Sequence, residues 1–372
     1  MSTQARFTGR PPFNLYDLRP HLALVHKSTD RHSGKMAGER GILSSQPLMP
    51  RPVNQAQCHP FPKAKYGVKN WGEYDQALQQ RGSLTIWFTP EAVTAWQASP
   101  TGKRGRSHFY SNVAIETGCL LRLAFGRPWR QTEGLLRSIA TLLGVMLAIP
   151  DHTTFSRRSA SLSLPTSLTP SREPVHVVLD STGLKVYGAG EWQREKHGVR
   201  SRRSWRKLHL AVNPDSGEIL ASELTSNEVG DMTMVTPLLN QVQSPITSVT
   251  ADGAYDGEPV YHAIAARQPD SSPAVIIPPR ATAVPSSVTG TAPSWRDRHI
   301  HMIREKGRRS WQKAVSYGRR ALVETAMFRY KTLIGPRLRA RTLATQKTEA
   351  RLACSVINRM TRLGMPISQR VR

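Results

Sequence analysis

Acidic side chains are scarce in this chain of 372 residues: 26 Asp and Glu stand against 52 Lys and Arg, a formal charge of +26. An excess that large opposes compaction by self-repulsion unless a polyanion shares the surface. Nucleic acid is the default partner, because each neutralised phosphate releases counterions. Cysteine is scarce too. Cys58, Cys119 and Cys354 are scattered, with no CxxC and no Cys/His cluster. Neither a disulfide framework nor a structural zinc site is supported, and a reducing, cytosolic setting fits. Long apolar runs are missing. The longest, Ile139–Ile149, is interrupted by Thr141 and closed by Pro150, short of the roughly 20 residues a membrane span needs. The first residues are polar, so no secretory signal and no membrane partner are expected. Hydrophobic residues at 38%, with eight Trp, exclude wholesale disorder.

Residues 1–62 hold eight Pro and four Gly without sustained apolar periodicity. They read as a poorly ordered basic extension, with a DNA-gripping arm as the alternative. Residues 63–165 read as a helical N-terminal DNA-binding region. Tyr66–Phe88 suggests a short helix and then a strand-like piece. Ile115, Leu120, Leu121 and Leu123 mark one helix, broken at Gly126 to Pro128, and Thr132–Leu147 marks a second. Pro150 stops that one, and Asp151 is a good N-cap for a third. Helix, turn and short helix carrying Arg157 and Arg158 form a candidate helix-turn-helix; a plain bundle with a basic surface turn is the alternative.

After a Ser- and Pro-rich linker the character changes. His176–Asp180, Leu184–Tyr187, Leu208–Asn213, Glu218–Leu224, Ser248–Thr250 and Ala274–Ile277 read as strands, the third and fourth as a hairpin around Pro214 to Gly217. Met232–Gln243, Glu258–Arg267 and Trp295–Lys331 read as helices, the last broken near Gly307. This predicts an α/β fold over residues 174–335, a mixed sheet flanked by helices, with a mobile uncharged loop at 281–294. Residues 336–372 read as a basic C-terminal helical tail.

Three carboxylates stand out. Asp180 ends a strand, Asp252 follows one and precedes Gly253, and Glu324 lies in the last predicted helix, each 72 positions after the one before. Strand ends deliver side chains to one edge of a sheet, and hard oxygen ligands suit Mg²⁺ or Mn²⁺. A pair of such ions serves phosphodiester displacement. Asp256 is a rival for the second position; Asp231 and Glu223 read as exposed, with a supporting role beside the site as the alternative. Wound as one α-helix at about 100° per residue, Tyr317, Arg320 and Lys331 fall within roughly 40° of Glu324, and Leu322, Ala326 and Leu333 fall opposite. The helix can thus bury one face and present the other to phosphate. A charged stripe can equally be a solvated face.

The run Tyr317-x₂-Arg320-x₃-Glu324-x₆-Lys331 matches the Y-(2)-R-(3)-E-(6)-K signature of bacterial insertion-sequence transposases. Further blocks in order are KYGVKNWGEYDQALQQRGSLTIWF from Lys65, WRQTEGLLRS from Trp129, PDHTTFSRR from Pro150, LDSTGLKVYGAGEW from Leu179, WRKLHLAV from Trp205, TADGAYD from Thr250 and ETAMFRYK from Glu324. Together they resemble the DDE transposases of the IS4/IS5 superfamily, IS5 group, over Lys63 to Ser368. The resemblance implies a ribonuclease-H-like catalytic domain. It implies Asp180, Asp252 and Glu324 as a catalytic triad holding two Mg²⁺ or Mn²⁺ ions. It implies Tyr317, Arg320 and Lys331 as contacts to phosphates at the cut. The implied reaction is hydrolysis at the element's ends, then attack of the freed 3′-OH on target DNA. The implied partners are double-stranded DNA and a second copy of the chain, and the setting is the bacterial cytoplasm and its nucleoid.

The basic belt Arg194–His209, with seven Lys and Arg against one Glu, is expected to line a DNA channel through Arg202, Arg203, Arg206 and Lys207. A silent copy that binds DNA without cutting and a plain nuclease are the rival readings.

Overall fold

The β-branched and apolar run from Val175 builds the central strand of a mixed sheet. The computed structural model describes residues 65–99, 108–162, 164–165, 168, 173–186, 205–267, 273–286 and 293–371. The expected basic extension lies outside the described residues, as do Arg202 and Arg203. In chain order the elements are β1 (Lys65–Val68), α1 (Trp71–Gln80), α2 (Leu84–Trp87), α3 (Pro90–Thr94), α4 (Asn112–Ala124), α5 (Trp129–Leu142) and α6 (His152–Arg158). Then come β2 (Val175–Val186), β3 (Trp205–Val212), β4 (Ile219–Ser226), α7 (Val235–Leu239), β5 (Ile246–Thr250), α8 (Glu258–Arg267) and β6 (Ala274–Ile276). Last are α9 (Trp295–Ala314), α10 (Ala321–Leu333), β7 (Arg337–Leu338), α11 (Leu343–Leu363) and β8 (Ser368–Val371).

The sheet order is β4-β3-β2-β5-β6, with β7 paired to β2. β2, β3 and β4 are antiparallel, while β5 and β6 run parallel to β2. This is the expected ribonuclease-H-like order. Two strands were expected before the hairpin, but β2 is one strand of 12 residues. β3 pairs through the predicted gap: Ser181 faces His209, Thr182 faces Leu208 and Gly183 faces Lys207. Gly183 lies under the Trp205 ring, where a Cβ would meet Cε3 at 3.1 Å. The β3–β4 turn closes as predicted, with Gly217 at φ 73°.

Period-two alternation gives each sheet face its own core. Val177, Leu179, Ala211 and Ala221 pack with Val235, Leu238, Val260 and Ile264 of α7 and α8. Val178, Leu184, Leu208 and Leu210 pack with α4, α5, α6, α10 and α11. The helical region 108–162 and the sheet therefore share one apolar cluster, and residues 64–372 form one compact unit. The segment expected as a basic tail is helical over α11, but it is core: Cys354, Val356 and Ile357 are fully buried. Asn358 completes the seam. Its Nδ2 donates to the Ile219 carbonyl at 2.7 Å, and its Oδ1 accepts from the Ile219 N–H at 2.8 Å.

Local chemistry corrects three further expectations. The strand-like piece at 84–88 is the helical turn α2, from which Trp87 turns inward, its Nε1–H donating to the Arg81 carbonyl at 3.0 Å. The second predicted helix ends at Leu142, and Gly144 takes φ 65°. α5 and α6 are consequently joined through residues 143–151, not by the three or four residues, roughly, of a helix-turn-helix. Asp151 does cap α6, accepting from the Thr153 and Thr154 N–H groups at 2.8 and 2.7 Å. Among the described residues no helix is long and apolar enough to cross a membrane.

α6 seats Phe155, stacked on Trp129 at 5.6 Å and 3°, directly against Gly118 of α4. A Cβ at position 118 would enter the Phe155 ring. Gly118→Ala is expected to destabilise the fold by about 1–3 kcal/mol, the usual range for an overpacked core. Urea denaturation measures it; an unchanged midpoint would contradict this packing.

Candidate active site

Parallel pairing places the first two carboxylates together. Val178 on β2 faces Thr250 on β5, so Asp180 and Asp252 emerge two residues later at the same sheet edge. Asp252 caps the short 3-10 turn Gly253–Tyr255, its Oδ1 accepting from the Ala254 N–H at 2.9 Å. Gly253 fits a close approach there, since a Cβ would stand 3.3 Å from the Pro278 carbonyl oxygen. Glu324 lies in the first turn of α10. One guanidinium joins all three. Arg320 reaches Asp180 Oδ2 at 2.9 Å, Glu324 Oε1 at 2.7 Å and Asp252 Oδ2 at 3.9 Å.

Burial raises the Asp180 pKa, opposed by the Ser181 N–H and by Arg320. Arg320 is also partly buried, which works to lower its pKa; the carboxylates, Asp180 foremost, outweigh that and hold it above the ordinary value. The rival carboxylate is engaged elsewhere. Asp256 is buried, accepts from Arg296 Nε at 2.9 Å and from the Arg280 N–H at 2.9 Å, and pins loop ends rather than facing the site.

The predicted phosphate stripe is not one helix. Ser316 adopts a left-handed conformation, φ 53°, and Tyr317–Arg320 form a 3-10 turn before α10 begins. The face expected to be buried is rotated as well. Val323, Ala326, Met327 and Tyr330 are buried, while Leu322 and Leu333 are exposed. Tyr317 stays at the site, its pKa raised by burial with Arg320, Asp252 and Asp180 also acting on it. Lys331 lies seven residues past Glu324, roughly 10 Å along the axis, half-buried and with its pKa lowered by desolvation.

Other expected contacts turn inward. Arg206 Nε donates to Gln346 Oε1 at 2.9 Å, and Lys207 Nζ donates to the Val229 carbonyl at 3.0 Å. Arg158 donates to the Tyr110 carbonyl at 3.1 Å and to Asn112 Oδ1 at 2.9 Å, tying α6 to the start of α4. Arg157 is exposed on α6.

Among solved structures, the chain is similar to a piggyBac transposase in a synaptic complex with hairpin DNA, at 12% identity over 80% of this chain and 76% of that one, with a TM-score of 0.35. Two family models, each described as a transposase DDE domain, match residues 79–189 and 171–359. The second spans just over half of the chain. The chain belongs to the DDE transposases.

As a DDE transposase it is an enzyme, of a family whose DDE domains generally use divalent metal ions. Whether its own residues fit such an ion can be tested on the donor set. Three carboxylates facing one cation are the hard oxygen donors that Mg²⁺ and Mn²⁺ take. Among the described residues no three His, Cys, Asp or Glu are grouped closely enough to hold a metal. The Arg320 guanidinium stands between the three acids. The chemistry of the donors fits such an ion.

Three further groups have contacts that the sequence did not assign. Asp231, read as exposed, lies 3.3 Å from Lys207 Nζ and 3.4 Å from the fully buried His209 Nδ1. Tyr255 is buried with its hydroxyl unpartnered, and burial pushes its pKa far up. Glu223, also read as exposed, pairs with Lys347 at 2.9 Å. The available signal was the unbroken apolar run around it: His209 sits among Leu208, Leu210, Ala211 and Val212 on a strand buried on both faces.

His209 gives a pH prediction. Burial lowers its pKa to about 4, so the folded chain keeps it neutral while the unfolded chain takes up a proton near the ordinary histidine value. The unfolded state binds more protons between these two values, and stability falls as pH drops from about 6.5 to about 4. The loss is on the order of 3 kcal/mol for this group. Urea melts at pH 7 and pH 4.5 measure it, and His209→Asn is expected to flatten the slope. An equal slope in the variant would contradict it.

Proposed function

We propose that this transposase binds the terminal inverted repeats of an insertion sequence, cuts the phosphodiester at the element's ends and joins the freed 3′-OH ends to target DNA. The observation that carries the reading is the convergence of Asp180, Asp252 and Glu324, from three separate elements, on one cation. Double-stranded DNA as substrate is supported by the charge of +26. The piggyBac relative was solved with hairpin DNA in a synaptic complex. A homodimer on paired ends is part of the proposal.

The three carboxylates would hold two divalent ions, Mg²⁺ or Mn²⁺. When bound, these supply Lewis-acid activation of the attacking oxygen and stabilisation of the leaving one. Arg320 and the metal compete for the same oxygens, so Arg320 is placed to turn from its carboxylates to a backbone phosphate, where a guanidinium forms a two-pronged contact. Tyr317, at the mouth of the site, contacts the neighbouring phosphate, with Lys331 farther along α10 toward the flanking duplex. Arg202, Arg203 and Arg157 contribute positioning contacts rather than sequence readout.

The test uses duplex made from the DNA that flanks this reading frame, with Mg²⁺. The wild-type chain is expected to cut and join these ends. Asp180→Asn, Asp252→Asn and Glu324→Gln are each expected to abolish both steps while leaving affinity for the same duplex of the same order. A fully active Glu324→Gln would overturn the assignment.

A further inference from the structure

The turn that carries Tyr317 and Arg320 has no buried residue of its own. Something outside it must fix where it points. The candidate is a buried chain of contacts running from the sheet. α9 is interrupted at Gly307, φ 78° and ψ 158°, where no atom lies within 4 Å of an added Cβ. The interruption re-aims the second half of the helix, so that Trp311 meets His299. Both are buried, Trp311 at 0% and His299 at 3% exposure.

The hydrogen-bond partners assign the histidine's tautomer. An indole N–H can only donate. Trp311 Nε1 lies 2.9 Å from His299 Nδ1, so Nδ1 accepts. The remaining proton then sits on Nε2 and is donated to the Val275 carbonyl of β6 at 2.6 Å. The other face of this unit is Tyr317, whose ring centroid stands 5.2 Å from that of Trp311, tilted by 41°. A backbone carbonyl of the sheet is therefore linked through His299 and Trp311 to the tyrosine at the mouth of the site.

We infer that His299 and Trp311 are positioning residues, which set the Tyr317 ring, and through its turn Arg320, for the DNA strand that is cut. This rests on the reading that Tyr317 contacts a phosphate at the cleavage site. A ring held only by a short 3-10 turn samples several orientations. A ring seated on an indole that is itself hydrogen-bonded to the sheet keeps one. Misplacement of about an ångström is enough to cost up to about a hundredfold in rate.

The decisive variants are at His299. His299→Leu removes both hydrogen bonds, whereas His299→Gln keeps an oxygen for the Trp311 N–H and an N–H for the Val275 carbonyl. Two readouts are taken on the full chain. The first is the ¹⁹F resonance of 3-fluorotyrosine at position 317, which depends on the Trp311 ring and not on activity. The second is the rate of cutting the duplex made from the flanking DNA, in a cycle with Tyr317→Ala.

His299→Leu is expected to shift and broaden the resonance and to slow cutting about ten- to hundredfold, while His299→Gln restores both. In the Tyr317→Ala background, His299→Leu is expected to add nothing. Where His299→Leu does not fold, Trp311→Phe goes through the same rate cycle. An unmoved resonance overturns the proposal whatever the activity. So do additive rate effects. Normal cutting by Tyr317→Ala overturns the phosphate reading of Tyr317, and this inference with it, while leaving the triad standing. A wild-type chain inert on that duplex overturns the functional reading before any variant is made.

Discussion

Three negative side chains cannot be crowded at one sheet edge without a positive one. That constraint organises the centre of this protein. β2 delivers Asp180, the end of β5 delivers Asp252 and α10 delivers Glu324, and like charges so placed repel one another strongly where water is partly excluded. Arg320 satisfies all three, although it lies 140 residues from Asp180 in the chain. Its position follows from the left-handed Ser316 and the 3-10 turn that end one helical segment and start the next.

The scarcity of acid gives the remaining carboxylates weight. Several are used to fasten backbone around the site rather than to decorate the surface. Asp256 holds the Arg280 N–H and the Arg296 side chain. Asp297 accepts from the Ser286 N–H at 2.8 Å and from the Ser294 hydroxyl at 2.9 Å, so it grips the loop expected at 281–294 at Ser286 and at its last residue; residues 287–292 lie outside the described residues. Glu349 accepts from the Arg339 and Ala340 N–H groups at 2.9 and 2.7 Å, binding the approach to α11. A buried carboxylate aimed at backbone N–H groups satisfies donors that would otherwise be orphaned.

The sheet was legible because its strands are short β-branched runs bounded by turn residues, and the hairpin because Gly217 sits where a positive φ is needed. The three carboxylates were singled out by strand-end placement and family resemblance together; Asp252 does follow the end of β5, whereas Asp180 lies in the middle of β2. What escaped follows from long-range contacts. The stripe through Tyr317 assumed one continuous helix, and nothing local in Ser316 announces a left-handed residue. The buried face of α10 was misjudged because Leu322 and Leu333 are as apolar as Val323 and Met327; only the neighbouring β2, β3 and α11 decide which set turns inward. Arg206, Lys207 and Arg158 looked like phosphate ligands because a sequence shows charge but not the carbonyl or amide that engages it. α11 looked like a tail because its basic residues mask a buried seam through Cys354, Ile357 and Asn358.

β1 and β8 form a separate two-stranded ribbon, pairing Lys65 with Val371 and Val68 with Ser368. Asn70 reinforces it, donating to the Met365 carbonyl at 3.1 Å and accepting from the Ile367 N–H at 2.7 Å. The two ends of the unit that spans residues 64–372 are therefore neighbours in space. A chain of this kind tolerates rejoining: residue 371 can be linked to residue 65 by a few small residues and the backbone opened elsewhere on the surface. Such a circular permutant would keep every element that frames Arg320 while moving the chain ends to whichever side of the molecule an attached module needs.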